Sequence, residues 1–238
     1  MTTTYFRDHL KQTGPAMITK WEHYFDIYGR ELAELQGRDV NFLEIGVFRG
    51  GSIPMWEGFF GRRSDLTFAD IDPDCTRFAT ERSKVEIGDQ SDPAFLAGLA
   101  ADHGPFDLVV DDGGHKMDQQ ITSFQHLWPH VKTGGLYVVE DTHTSYWPGF
   151  GGGYREDSSF IEFAKKLVDQ MHSWYTDQDE IFPLHQMARE VAAVRFYDSM
   201  VFIEKRTHTE PPTNLVARDG RVERSRAPLK MRNRRTVF

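Results

Sequence analysis

The sequence holds a single cysteine, Cys75. That excludes an internal disulfide and a cysteine-type structural zinc site, and it suits a reducing compartment. No apolar stretch approaches the roughly 20 residues that a membrane helix needs. The opening MTTTYFRDHL lacks the basic segment and apolar run of a secretory signal, so the expected location is the cytoplasm. Basic charge is not in excess: 28 Lys and Arg stand against 36 Asp and Glu, a formal net charge of −8. No overall field therefore draws nucleic acid or an anionic membrane, and neither is expected as a partner. The loop after the first apolar run is not GxGxxG and lacks the Lys-Ser/Thr of a P-loop, which counts against dinucleotide and nucleoside triphosphate binding.

What is present describes a folded chain. The 18 Phe, 8 Tyr and 5 Trp supply enough large apolar surface to make global disorder untenable. The 238 residues suit one domain, or two small ones. Residues 1–39 read as an N-terminal helical segment, broken at Gly14-Pro15, that packs on the core. Trp21, Tyr24, Phe25 and Tyr28 recur at helical spacing and share one face, a stripe read as core or oligomer contact rather than a ligand site. A homo-oligomer is compatible with that stripe.

From residue 40 to 206 short apolar runs alternate with helical stretches. Val40–Ile45 precedes glycines; Leu66–Ala69 leads into Asp70; Lys84–Ile87 leads into Gly88-Asp89; Phe106–Val110 leads into Asp111-Asp112; Leu136–Val139 leads into Glu140-Asp141. Asp92–Ala101, Met117–Trp128 and residues 158–176 read as helices, and Val194–Lys205 as a hairpin turning at Asp198-Ser199. Strands separated by helices imply an α/β fold with a mostly parallel sheet. Ligands of such sheets bind beyond the carboxyl ends of the strands, where these acids cluster. Residues 207–238 lack sustained periodicity, and positions 218–235 carry eight Arg or Lys against two acids. They read as a basic, flexible tail, or as an arm toward an extended substrate or a neighbouring subunit.

The loop Glu44-Ile-Gly46-Val-Phe-Arg-Gly50-Gly51-Ser52 joins the first strand to a helix. Its glycines allow a ligand to approach the backbone. A carboxylate here would repel a pyrophosphate but suits a ligand with ammonium and sulfonium groups, such as S-adenosylmethionine (AdoMet). Asp70 can accept from both ribose hydroxyls, with Asp72 as rival, and Asp89 can face the adenine amino group. Glu44, Gly46, Gly50, Ser52, Asp70, Asp72, Asp89 and Asp111 are the expected cofactor residues. Asp112, Glu140 and Asp141 would crowd together at neighbouring strand ends, and a hard divalent cation such as Mg²⁺ relieves that repulsion. His115 lies three residues beyond Asp112 across a glycine turn, placed to act as general base on a hydroxyl; His143 is the weaker rival. Tyr146 and Trp147, with His143, are expected to face the acceptor. The stretch Tyr146-Trp-Pro-Gly-Phe-Gly-Gly-Gly-Tyr154 is read as a mobile acceptor lid or a disordered surface loop.

On LEIGVFRGGS, DDGGH and GGLYVVEDTHTSYWPGFGG, residues from about 20 to 205 resemble the class I AdoMet-dependent methyltransferases. More narrowly they are similar to the metal-dependent sugar O-methyltransferases of macrolide biosynthesis. The resemblance implies a Rossmann-like, seven-stranded sheet of order 3-2-1-4-5-7-6 with helices on both faces. It implies Mg²⁺ on Asp112, Glu140 and Asp141, His115 as base, and AdoMet at Glu44, Gly46, Asp70 and Asp89. Two departures bear on specificity. The macrolide enzymes carry an additional N-terminal domain that helps build the acceptor pocket, and His143 stands where a bulkier apolar residue is expected. Relatives also methylate bacterial polysaccharides, so the acceptor class stays at a sugar hydroxyl, in a glycoside, oligosaccharide, polysaccharide such as a methylated mannoside, or glycosylated natural product. Other readings are a catechol-like diol as acceptor, a non-catalytic AdoMet-binding module, and a hydroxylase-associated protein. A product heavier by one methylene, rather than one oxygen, separates methylation from hydroxylation.

Overall fold

The computed structural model describes residues 2–12, 14, 17–176, 178–225 and 236–237. Seven strands form the central sheet: β1 (Asn41–Ile45), β2 (Asp65–Asp70), β3 (Ser83–Ile87), β4 (Phe106–Asp111), β5 (Val131–Val139), β6 (Val191–Tyr197) and β7 (Met200–Lys205). Their spatial order is β3-β2-β1-β4-β5-β7-β6, the order the resemblance implied. The first five are mutually parallel, while β7 runs antiparallel to both β5 and β6. The hairpin turns at Asp198-Ser199, with Ser199 in the left-handed region at φ 63°.

Side chains alternate across the sheet with a period of two. On β1, Phe42 faces one core cluster and Leu43 and Ile45 the other. Phe202 on β7 likewise opposes Val201 and Ile203. The cluster around Leu43 is covered by α4 (Pro93–His103), α5 (Met117–Leu127) and α6 (Phe160–Met171). Local chemistry sets their starts. The Asp92 side chain accepts from the Ala94 N–H with Pro93 in the first turn, and the Ser159 side chain accepts from the Glu162 N–H.

The opposite face is covered by α1 (Tyr5–His9), α2 (Glu22–Glu31) and α3 (Ser52–Phe59). Trp56 on α3 is fully buried, with Phe6, Tyr28 and Phe42 rings 4.9–5.6 Å from its own. Tyr24, Phe25, Ile27 and Tyr28 bury one face of α2. Each such side chain contributes about 1.5–3 kcal/mol on leaving water, which holds the N-terminal segment against the sheet. Trp21 departs from the expected stripe: α2 begins after it, and its ring is 54% exposed.

The tail departs from its reading in part. Leu215–Arg218 and Arg221–Arg224 form an exposed antiparallel hairpin, and Thr236–Val237 pairs with Leu184–His185. Most of the basic run, residues 226–235, lies outside the described residues. Among the described residues, no helix is long and apolar enough to cross a membrane.

Candidate active site

Two cavities meet at the carboxyl edge of the sheet. The first, about 290 Å³, is lined by Gly46, Asp70, Asp72, Asp89, Gln90 and Asp112 among others. Gly46 has φ 101°, and a Cβ there would run into the Asp112 carbonyl oxygen; only glycine lets β1 and β4 close this edge. One Asp70 oxygen accepts from the Val47 and Phe48 N–H groups at 2.8 and 2.9 Å, and the other from the Asp72 N–H at 2.9 Å. Burial raises its pKa, but these backbone donors outweigh burial and hold it below the usual range. Asp70 therefore fastens the glycine loop as well as facing the cavity. Asp72 caps the following short helix through the Asp74 N–H. Asp89 accepts from the Ser91 N–H and hydroxyl at 2.8 and 2.7 Å. Phe48 and Ile71, exposed by 62% and 63%, add apolar lips that sequence reasoning missed.

Four other expected cofactor residues sit behind this wall. Glu44 is fully buried and accepts from the Ser52 hydroxyl at 2.5 Å; burial pushes its pKa to about 7. Gly50 packs on the Phe78 ring. Asp111 is fully buried and accepts from the Gln90 amide at 3.0 Å, and burial raises it to about 6. Gln90 in turn accepts from the Gly114 N–H at 2.7 Å. Asp111 and Gln90 thus brace the DDGG turn from below, and Asp111 does not line the cavity.

The second cavity, about 390 Å³, is lined by Thr19, Lys20, Trp21, Glu22, Tyr24, Asp112, Glu140 and Asp141. Strand pairing of β4 with β5 brings the three expected metal carboxylates to one edge of the sheet but not into one cluster: Glu140 and Asp141 fall in two separate groups that share Asp112. Ligand atoms of Asp112, His115 and Asp141 lie within 4.8 Å of one another, as do those of Glu44, Asp112 and Glu140. Asp112 belongs to both clusters and to both cavities. Asp141 is in the left-handed region at φ 53°. Its carboxylate accepts from the Tyr24 hydroxyl at 2.7 Å and stands 3.4 Å from His115 Nε2.

The N-terminal segment completes this site, which the sequence reading did not foresee. Lys20 Nζ donates to Asp112 Oδ2 and Glu140 Oε1, both at 2.6 Å, and lies 3.7 Å from Glu44 Oε1. The Tyr28 hydroxyl donates to the same Glu140 oxygen, while Glu140 Oε2 is buried with no hydrogen-bond partner among the described residues. Burial raises Glu140 to about 8, the neighbouring Asp112 adding to it. Burial alone would lower the Lys20 pKa, but Asp112, Glu140 and Glu44 outweigh it and hold it well above the ordinary value. The signal for Tyr24 and Tyr28 was available: buried tyrosine hydroxyls need partners.

Aromatic rings border the second cavity. His143 makes edge contacts with Trp21 at 5.7 Å and Trp147 at 4.7 Å. Its Nδ1 lies 2.5 Å from Ser199 Oγ, which also bonds the Tyr24 hydroxyl at 2.8 Å. Tyr146 and Trp147 are half exposed. The glycine-rich stretch is a sequence of short turns rather than an open loop: the Gly152 N–H donates to the Trp147 carbonyl at 3.1 Å, and the Gly153 N–H to Ser145 at 2.8 Å.

A mostly parallel sheet of this order, a glycine loop fastened by the acid of β2, and acids at the ends of β4 and β5 give the Rossmann-like methyltransferase fold. Residues 43–142 match the family model described as "Methyltransferase domain". It is 37% identical over 211 residues to demethylmacrocin O-methyltransferase of Streptomyces fradiae, covering 83% of this chain and 53% of that protein. It is 35% identical over 193 residues to mycinamicin VI 2''-O-methyltransferase of Micromonospora griseorubida, covering 77% and 48%. Among solved structures, the MycE methyltransferase of the mycinamycin pathway, in complex with Mg, SAH and mycinamycin VI, superposes with a TM-score of 0.74. Sequence identity there is 32%, over 89% of this chain and 57% of that one. The chain spans about half the length of the curated relatives it matches.

Proposed function

We propose that the chain is an O-methyltransferase that moves the methyl group of AdoMet to a sugar hydroxyl of a glycosylated natural product, with a divalent cation. The observation that carries this reading is Asp112, a wall of both cavities: a donor in one and an acceptor in the other would meet there. Relatives that methylate rhamnosyl and olivosyl groups, and the MycE complex with Mg, SAH and mycinamycin VI, support both the acceptor class and the ligands.

The residues suit a hard cation. Asp112, Glu140 and Asp141 offer oxygen donors, and a cationic nitrogen already stands against Asp112 and Glu140. When bound, the cation orients and acidifies the acceptor hydroxyl. His115 takes the hydroxyl proton; Asp141, 3.4 Å from its Nε2, orients the ring. The acceptor oxygen forms a bond to the methyl carbon as the carbon–sulfur bond breaks, and S-adenosylhomocysteine leaves. Trp21, His143 and Trp147 give the sugar ring flat apolar faces.

The test is incubation of the protein with AdoMet, Mg²⁺ and a panel of macrolide and tetracenomycin glycosides, read by product mass. A product heavier by one methylene, absent with EDTA and in Asp112→Asn, is expected. AdoMet that neither binds nor is consumed would sink the reading.

A further inference from the structure

The Lys20 ammonium is almost fully enclosed in the site. Its side chain is 2% exposed and lies among Glu44 at the end of β1, Asp112 beyond β4 and Glu140 beyond β5. It comes from far away in sequence, 92 residues before Asp112 and 120 before Glu140. The segment that delivers it is held at both ends. Met17 bridges to Gly50, where the backbones come so close that a Cβ on Gly51 would strike the Met17 carbonyl. Beyond Lys20, Tyr24 is tied to Asp141 and Ser199.

We propose that Lys20 is a positioning residue for the cation site: it holds Asp112 and Glu140 in place while no divalent cation is bound, and it gives up those oxygens when one binds. The proposal rests on the cation-dependent reading above. The same two oxygens cannot serve both. An ammonium donates to each at 2.6 Å, and a magnesium ion would need them at about 2.0–2.1 Å, with three positive charges crowded into one low-dielectric spot. Without Lys20, Asp112 and Glu140 would repel each other when no cation is bound, and the buried carboxyl of Glu140 would lose a cationic partner. Lys20 itself lines the second cavity, so the displaced side chain has an open route; Glu22, which lines the same cavity, is paired with Arg7 at 2.8 Å. Its neighbour Trp21 walls the same cavity, so the exchange takes place at the edge of the acceptor cleft.

Two measurements on the full chain test this. The first is calorimetric titration with Mg²⁺ of the wild type, Lys20→Met and Lys20→Arg, each checked for fold by AdoMet titration. Lys20→Met removes the competing charge and should bind Mg²⁺ about tenfold or more tightly, while Lys20→Arg should not tighten. A lysine with only a structural role would give the opposite, a weaker site. The second uses the wild type and so does not depend on the variant folding: amine acylation read by peptide mass spectrometry. Lys20 should be protected without Mg²⁺ and should react about tenfold or more faster with it, as expected of an ammonium released from two charged hydrogen bonds. A Lys20→Met protein that binds Mg²⁺ no more tightly than the wild type overturns the proposal. So does a Lys20 equally protected with Mg²⁺ bound, and in both cases the cation-dependent reading stands. If neither protein takes up Mg²⁺, both fall together.

Discussion

Asp111 stands one residue before the shared carboxylate, and its protonation should be visible in stability. Its carboxyl is fully buried, and one oxygen accepts from Gln90. Burial lifts its pKa from 3.8 to about 6. The folded protein thus keeps a proton that the unfolded chain gives up. The stability this provides is complete below the unfolded value and is lost as the pH rises through about 6. The full difference corresponds to roughly 3 kcal/mol, of which about 2 kcal/mol should disappear between about pH 4.5 and 8. Asp111→Asn cannot ionise and keeps a polar group of the same shape. Urea unfolding of both proteins across that range, without added metal, should show the variant gaining about 2 kcal/mol on the wild type. Glu44 and Glu140 titrate in both proteins and cancel in the difference. A difference in stability that stays flat with pH would refute the reasoning, because Asp111 would then be ionised in the fold or as solvated as in the unfolded chain.

Three further changes probe the site. Tyr28→Phe removes the hydroxyl that donates to Glu140 and should cost about 1–3 kcal/mol in urea unfolding; an unchanged midpoint would count against that bond. Gly46→Ala forces a side chain onto a residue at φ 101° and against the Asp112 carbonyl, so AdoMet affinity, read by calorimetry, should fall about tenfold or more. His115→Ala should lower kcat by about a hundredfold or more with AdoMet affinity unchanged; near wild-type turnover would shift the base to another group, His143 first.

Much of the sheet was legible because each apolar run was short and ended in an acid or a glycine. That pattern marks a strand whose carboxyl end meets a ligand, and it located Glu44, Asp70, Asp89, Asp112, Glu140 and Asp141 before any coordinate. It could not tell which acids face the cavity and which lie beneath it. Asp111 and Asp112 are adjacent, yet side chains on a strand alternate, so one braces the turn and its neighbour lines both cavities. Lys20, Tyr24 and Tyr28 escaped for a different reason. Their partners Asp112, Glu140 and Asp141 lie 92 to 120 residues away, and helical spacing reports a shared face without reporting what its hydroxyls meet. The glycine run after Tyr146 looked loose because glycine loosens an isolated chain, whereas here backbone hydrogen bonds to Ser145 and Trp147 define its turns.

The N-terminal segment contributes to only one of the two cavities. Among the described residues, none before Ile45 lines the first, while Thr19, Lys20, Trp21, Glu22 and Tyr24 make up most of the second. A descendant of this chain could therefore change its acceptor by mutation in a stretch of about two helical turns and leave its methyl donor untouched. Within that stretch the freedom is uneven. Lys20 and Tyr24 are held by charge and side-chain hydrogen bonds, whereas the Trp21 ring, half exposed and in edge contact with His143, is the position where divergence toward a new glycoside costs least.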